Sequence, residues 1–225
     1  MDQTLISTGG AGIRALNRAF QKLYAVANAM DGILPHGKTD PGIIREILQS
    51  HPVPTAGDGF PTSVAAILES YLEYLDHEID STSSYRILPG VEGILDYLSG
   101  RSDVAIGLAT GNVETGARIK LERGNLNRYF PFGGFGSDAE NRTELVRHGA
   151  EKAAAYLGCI PDPGDVFVIG DTPRDIFAGR EAGFLTVGVA TGKYSKVELE
   201  EAGATVAIQD FEKERDQFLR TTRIE

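Results

Sequence analysis

The chain has 225 residues, of which 41% are hydrophobic and 24% are charged, a composition typical of a globular protein with a sizeable core. Its 32 acidic and 22 basic side chains give a net charge of −10, which disfavours binding to nucleic acids and to anionic membrane surfaces. The single cysteine, Cys159, excludes an internal disulfide. Because no apolar run reaches membrane-spanning length and no signal-peptide pattern is present, we expect a cytoplasmic protein.

The first third of the chain has a helical pattern. Across 11–84, apolar residues recur at the spacing of one helix face, in one run before and one run after a central helix. For that central helix we predict Asp40 as the capping residue and Pro41 as the first residue. Segments 7–10 and 81–84, rich in turn-forming residues, flank the block. The pattern predicts an inserted, all-helical cap at 11–84 that closes over a ligand.

In the remainder, short apolar runs without charges alternate with helical patterns, which indicates strands that helices cover on both faces. This order predicts right-handed crossovers and a parallel sheet. The fold class expected is therefore α/β, a Rossmann-like parallel sheet core formed by 1–10 and 85–225 with the helical cap inserted. The predicted strands are Val104–Ala109, Val166–Ile169, Leu185–Val189 and Ala204–Ile208, and the predicted helices are Val91–Leu98, Glu114–Glu122, Thr143–Leu157, Asp175–Ala182 and Ser195–Glu201.

Polar residues follow two of the predicted strands, at the sheet edge where open parallel sheets bind ligands. Thr110 and Gly111 follow the first strand and offer a hydroxyl and an unobstructed backbone N–H to a phosphate oxygen. Asp171 and Asp175 follow the second strand, and such a carboxylate pair suits Mg²⁺. Each motif also has a structural alternative, namely a turn that ends a strand and a pair of aspartates that stabilise a helix N-terminus.

Combined with the Asp2-Gln-Thr-Leu5 start, these motifs resemble those of the haloacid dehalogenase-like (HAD) hydrolases, over nearly the whole chain. The helical insertion behind the first motif is similar to that of the phosphoglycolate-phosphatase-like branch. Tyr85–Val91 is similar to the segment with which that branch returns to its core. The sequence is therefore identified as resembling that branch.

The first motif of that family is Asp-x-Asp-Gly-Thr-Leu after a buried strand. Asp2, Thr4 and Leu5 match its second Asp, its Thr and its Leu, while Gln3 replaces its Gly. In this register the nucleophilic Asp would fall immediately before Met1. Taking Asp2 as the nucleophile instead would put Thr4 in place of the second Asp and spoil the match that follows.

The resemblance implies a Mg²⁺-dependent phosphatase that acts through an aspartyl-phosphate on a small phosphorylated metabolite, with phosphoglycolate as the suggested substrate. Asp2 would protonate the leaving oxygen and later activate water. The implied metal ligands are Asp171, Asp175 and the backbone carbonyl of Asp2. The implied phosphate and substrate contacts are Thr110, Gly111 and Asn112.

The family also requires a cation near the phosphate. Arg142 is the predicted residue, because it lies in the turn that enters a helix and would keep its charge; solvent exposure is the alternative. Lys152 lies deeper in that helix and Lys120 lies in the preceding one, so both are expected to be less well placed. Lys38 lies in a cap loop, either in solvent or within reach of a substrate carboxylate or second anionic group.

The sequence also bears on functions other than phosphate ester hydrolysis. Segment 9–12 superficially resembles a dinucleotide-binding loop, but its spacing is not Gly-x-Gly-x-x-Gly and no strand precedes it. The second alternative is a HAD-fold protein with a binding or regulatory role, because loss of the nucleophile would remove covalent catalysis even if Mg²⁺ and phosphate still bound. Upstream DNA that encodes an in-frame apolar strand ending in Asp would favour the active enzyme.

Overall fold

In a computed structural model of the protein, residues 1–51, 53 and 60–224 are described, so part of the predicted cap, 52 and 54–59, lies outside the described residues. The described part of 11–84 contains three helices, α1 (Ala11–Tyr24), α2 (Asp40–Ser50) and α3 (Phe60–Ser81). We call these helices and their described connections the cap. The helices share one buried apolar cluster, which includes Phe20, Ile44, Ile47, Tyr71 and Leu75.

The remainder alternates strands with helices, which confirms the predicted α/β class. A second buried cluster, separate from that of the cap, lies between these strands and helices and includes Val91, Leu121, Phe135, Val187 and Phe218. The strands are β1 (Ile6–Ser7), β2 (Arg86–Ile87), β3 (Gly107–Thr110), β4 (Phe132–Phe135), β5 (Phe167–Gly170), β6 (Leu185–Val189) and β7 (Val206–Ile208). The helices are α4 (Val91–Ser99), α5 (Glu114–Glu122), α6 (Arg142–Leu157), α7 (Pro173–Glu181), α8 (Lys196–Glu201) and α9 (Arg215–Thr222).

The parallel strands form two ladders. Strand β3 pairs with β4, with Thr110 opposite Phe135, and β5, β6 and β7 pair in that order, with Gly170 opposite Gly188. Strands β1 and β2 form a separate antiparallel pair. All strands of a parallel ladder point the same way, so their carboxyl ends lie at one edge. The polar turns after β3 and β5 follow such carboxyl ends.

Strand β4 is the main element that the sequence patterns did not predict. Its sequence, Phe-Gly-Gly-Phe, contains two glycines, which weaken a strand signal. A Cβ atom on Gly134 would lie 2.0 Å from the carbonyl oxygen of Leu145, so the absence of a side chain lets α6 pack directly on the strand. The strand predicted from Val104 pairs only over Gly107–Thr110.

The start of α2 differs from the prediction in a way that affects the site. The capping residue is Thr39, whose hydroxyl accepts a hydrogen bond from the backbone N–H of Gly42. Asp40 is the first helical residue, and its carboxylate instead accepts a hydrogen bond from the backbone N–H of Val113, 3.0 Å away. The prediction that Asp40 is the capping residue of α2 was therefore wrong, because its side chain points out of the helical domain toward the α/β core.

Within the described residues, no helix combines the length and the apolar character needed to cross a membrane.

Candidate active site

The first five residues form a turn between the carboxyl ends of β3 and β5. The Asn112 side-chain amide donates to Asp2 Oδ2 at 3.2 Å, and the Thr4 hydroxyl donates to Asp171 Oδ1 at 2.7 Å. The Asn112 amide also donates to the Thr110 hydroxyl at 2.8 Å. The structure thus brings together the motifs that the sequence places at 2–5, 110–112 and 171.

Gln3 has a positive φ of 60°, in the left-handed region that glycine adopts most easily. When Asp2 is aligned with the second Asp of the Asp-x-Asp-Gly-Thr-Leu motif, Gln3 stands at the position of the Gly. The conformation therefore supports that register over the one that makes Asp2 the first Asp. A glutamine there stores strain of about 1 kcal/mol.

Lys120 is the cation of this turn, although the sequence patterns suggested that it would lie farther from the site; that expectation was wrong. Its ammonium donates to Asp2 Oδ2 at 3.0 Å and to Asn112 Oδ1 at 2.5 Å. Burial alone would raise the pKa of Asp2, but Lys120 holds that pKa below its usual value. Burial would lower the pKa of Lys120, but Asp2, Tyr71 and Asp40 raise it. Asp2 and Lys120 thus form an ion pair.

Arg142 is the first residue of α6, behind Asn141, whose side chain caps the helix. Its guanidinium contacts Oδ1 of Asp175, and both side chains are buried. Asp175 Oδ2 accepts from the backbone N–H and the hydroxyl of Thr172, so both carboxylate oxygens have partners. Burial would raise the pKa of Asp175, but Arg142 and Thr172 hold it below the usual value.

Asp171 differs from Asp175 because it has no ion-pair partner among the described residues. Its residue is buried, and its Oδ1 atom accepts only the hydroxyl of Thr4 among the described side chains. Burial and the nearby carboxylate of Asp175 raise the pKa of Asp171. A carboxylate in this state gains most from a bound cation.

The donors fit Mg²⁺ at Asp171 only. The side chains of Asp2 and Asp175 are already bound to Lys120 and Arg142, and within the described part of the chain no three His, Cys, Asp or Glu side chains are grouped to hold a metal ion. Mg²⁺ is often bound by one or two carboxylates together with waters and substrate phosphate, so a single free carboxylate is sufficient protein anchorage. The predicted metal role of Asp175 requires its pair with Arg142 to open.

A cavity of ≈ 270 Å³ lies between these turns and the cap. The segment 36–40 of the cap, which we call the docking segment, closes one side of it. Asp40 N–H donates to the carbonyl oxygen of Gly111 at 2.8 Å, Arg142 donates to that of Gly37, and Arg174 donates to that of His36. The docking segment thus contacts the turns after β3 and β5 and the start of α6.

The remaining predicted lysines have other partners. Lys38 lines the cavity, but its ammonium contacts the carboxylate of Glu46 in α2. Lys152 pairs with Asp138 at 2.8 Å, and neither residue lines the cavity. Lys38 lies in the loop just before α2, and Glu46 lies about two turns into that helix. Predicting their pairing from the sequence therefore requires knowing where α2 begins.

The chain is similar to known proteins in part of its sequence and in its fold. Residues 144–213 match the HAD-hydrolase-like family model. A hydrolase from Pseudomonas syringae is similar in structure with a TM-score of 0.69, 19% identity and coverage of 97% of this chain and 95% of that one. A predicted phosphatase from Clostridium acetobutylicum gives a TM-score of 0.70 at 16% identity, covering 98% and 95% of the two chains.

A third similar structure is that of CbbY from Rhodobacter sphaeroides in complex with phosphate, with a TM-score of 0.70, 17% identity and coverage of 95% of this chain and 93% of that one. No curated protein matches the chain. The match over 144–213 and the shared fold support the resemblance stated from the sequence motifs.

Asp40 is a buried carboxylate that faces the cavity from the cap. Burial raises its pKa from 3.8 to about 6, although Lys120 and the hydrogen bond from Val113 act to lower it, and Asp2 adds to the rise. Near neutral pH the side chain is therefore mainly ionised, at a cost to the folded state. Its hydrogen bond from Val113 needs only an acceptor, which an amide oxygen also supplies.

Replacing Asp40 by asparagine is expected to stabilise the protein at pH 8. A carboxylate with a pKa of about 6 when folded and 3.8 when unfolded is fully favourable to folding only below pH 3.8, and this contribution is lost as the pH rises through 6. The loss at pH 8 is about 3 kcal/mol as an upper value. We therefore expect Asp40→Asn to raise the free energy of unfolding by about 1–3 kcal/mol at pH 8, as measured by urea unfolding.

At pH 5 the same gain should be about half as large, because part of the ionisation cost has then disappeared. Asp31→Asn is the matched control, since Asp31 is exposed on the cap and does not line the cavity. A gain that is equal at both pH values, or a loss at pH 8, would contradict the assignment of Asp40 as a strained buried carboxylate.

Proposed function

We propose that the protein is a Mg²⁺-dependent phosphate monoester hydrolase that acts through an aspartyl-phosphate on a small phosphorylated metabolite. Phosphoglycolate is the substrate that the family resemblance suggests. The observation that carries the proposal is the convergence of Asp2, Asn112 and Asp171 on one cavity at the carboxyl ends of β3 and β5. The phosphate bound in the CbbY structure supports a ligand of this class in this fold.

In the proposed mechanism, Asp2 moves the proton. In the register that aligns Asp2 with the second Asp of the family motif, an aspartate two positions before Asp2 would be the nucleophile. Its carboxylate oxygen would bond to phosphorus as the ester P–O bond breaks. Asp2 is ionised beside Lys120 in the free protein, so it must take up a proton when the substrate binds. It gives this proton to the departing alkoxide oxygen, and the alcohol leaves. Asp2 then takes a proton from water, whose oxygen bonds to phosphorus, and phosphate and the free carboxylate are released.

The other residues bind and orient the phosphate. The Thr110 hydroxyl and the Gly111 N–H lie at the carboxyl end of β3 and would donate to its oxygens. Asp171 and the backbone carbonyl of Asp2 would hold Mg²⁺, which would supply positive charge to offset the negative charge of the phosphate. The docking segment excludes water from the reacting atoms.

Phosphate release from a panel of monoesters is the direct test, with Mg²⁺ or EDTA, on the chain preceded by its own upstream residues. We expect release that requires Mg²⁺, and a decrease of about 10²–10⁴-fold in kcat for Asp2→Asn, the range for loss of a general acid and base. Asp31→Asn, which changes an exposed aspartate of the cap, should keep the activity.

Absence of release from every ester would contradict the proposal. Binding of phosphate without turnover would favour the alternative, a HAD-fold protein with a binding or regulatory role.

A further inference from the structure

The two walls of the cavity differ in chemistry. The core wall carries Asp2, Thr110 and Asp171, where the proposed function places the phosphate, so the alcohol part of the substrate must face the cap. The cavity volume of ≈ 270 Å³ is near the lower end of the range of about 300–1,000 Å³ of pockets for drug-sized ligands, which favours a small alcohol. Much of the cap wall is apolar and is formed by Ile13, Leu16, Met30, Pro35 and Ile43.

Every lysine and arginine among the described cavity-lining residues is already paired with a carboxylate. Lys120 pairs with Asp2, Lys38 with Glu46 and Arg142 with Asp175. A substrate carboxylate that bound one of these cations would have to break its pair and leave a protein carboxylate without its cation. For the buried pair of Arg142 and Asp175 this costs several kcal/mol, and for the more exposed pair of Lys38 and Glu46 it costs less.

The cap wall also carries a negative group of its own. Asp40 is buried, has no ion pair within 4.0 Å among the described residues, and keeps only the backbone N–H of Val113 as a described donor to its side chain. The hydroxyl of Tyr71 lines the same wall beside Lys120. A carboxylate and a phenol can bind the hydroxyl groups of a ligand, whereas a second carboxylate beside Asp40 would be repelled.

Resting on the proposed function, we propose that Asp40 is a specificity-determining residue that selects phosphate monoesters of small, uncharged, hydroxylated alcohols and excludes esters whose alcohol carries a carboxylate. Phosphoglycolate belongs to the excluded class, so this inference departs from the substrate that the resemblance suggests. The cavity volume limits the size of the alcohol, and the negative charge of Asp40 limits which functional groups the alcohol carries.

Glycerol 3-phosphate and 3-phosphoglycerate form a matched pair of probes, because they differ by a hydroxymethyl group in place of a carboxylate. The comparison is made at pH 8 with Mg²⁺, as Kd by calorimetry if the ester is stable with the protein and as kcat/KM if it is hydrolysed. We expect a preference of at least about 10-fold for glycerol 3-phosphate, equivalent to 1.4 kcal/mol. Asp40→Asn should reduce this preference to about 3-fold or less by improving 3-phosphoglycerate.

Asp31→Asn is the control for the overall negative charge and should leave the preference unchanged. Glu46→Gln, which releases Lys38 from its partner in the cap, should also improve 3-phosphoglycerate. Equal or tighter binding of 3-phosphoglycerate, or a preference that Asp40→Asn does not alter, would overturn the assignment. So would failure of both esters to bind.

The outcomes separate the two proposals. If both esters bind with the expected preference and no ester of the panel is hydrolysed by the upstream-extended chain, the specificity stands and the hydrolase proposal fails. If both are hydrolysed with the opposite preference, the hydrolase proposal stands and the role of Asp40 fails.

Discussion

Replacing Arg142 by methionine is expected to lower the free energy of unfolding by about 3–5 kcal/mol at pH 7. The guanidinium is the described ion-pair partner of Asp175, and the exposed fractions of the two side chains are 16% and 8%. Without it, Asp175 and the neighbouring Asp171 would both be buried carboxylates with no cation, and like charges at this distance repel. Urea unfolding followed by circular dichroism measures the effect.

Arg147→Met is the matched control because Arg147 lies on the same helix and pairs with Glu144, with exposed fractions of 46% and 50%. An exposed pair of this kind contributes about 0–1 kcal/mol, so the control should change stability little. Arg142→Met combined with Asp175→Asn should recover part of the loss. Equal losses of unfolding free energy for Arg142→Met and Arg147→Met would show that the buried pair with Asp175 contributes no more to stability than the exposed pair.

Replacing Lys120 by methionine is expected to cost about 3 kcal/mol of unfolding free energy. Its ammonium is buried and compensates Asp2 by direct contact and Asp40 at longer range. Methionine keeps the unbranched chain, so the change removes the charge and little of the packing. The effect is measured as the free energy of unfolding at pH 7. At this pH the carboxylates of Asp2 and Asp40 are both ionised in the unfolded chain.

Lys152→Met is the control for Lys120, since the pair of Lys152 with Asp138 is more exposed than that of Lys120 with Asp2. A loss of less than about 1 kcal/mol is expected for it. Adding Asp2→Asn to Lys120→Met should restore part of the stability, because one of the two uncompensated carboxylates is then gone. If the double variant is as unstable as the single one, packing rather than charge determines the role of Lys120.

The sequence patterns predicted most of the α/β core because its helices and strands are encoded locally. Helix Glu114–Glu122 has the predicted bounds, and so does strand Leu185–Val189. In both, apolar spacing and the flanking turn residues suffice, without knowledge of what packs against them. The strand-end motifs were found for the same reason, since parallel strands carry their ligand groups in the residues that follow directly.

The features that sequence patterns missed depend on contacts between distant parts of the chain. Strand β4 is short and glycine-rich, and its identity comes from pairing with β3 and from the close approach of α6. Lys120 resembles any other lysine of an amphipathic helix until the turn that carries Asp2 is placed beside it. Likewise, Asp40 has the sequence context of a helix cap, and only the position of Val113 shows that its carboxylate faces the core.

The docking segment also explains why a glycine follows Thr110. A Cβ atom on Gly111 would lie 2.2 Å from the carbonyl oxygen of Lys38, so any side chain there would collide with the backbone of the cap before it met a ligand. A glycine at such a position is usually explained by the room that it leaves for a phosphate. Here the backbone of the docking segment also requires it. Gly111 therefore shows how closely the cap and the α/β core approach each other.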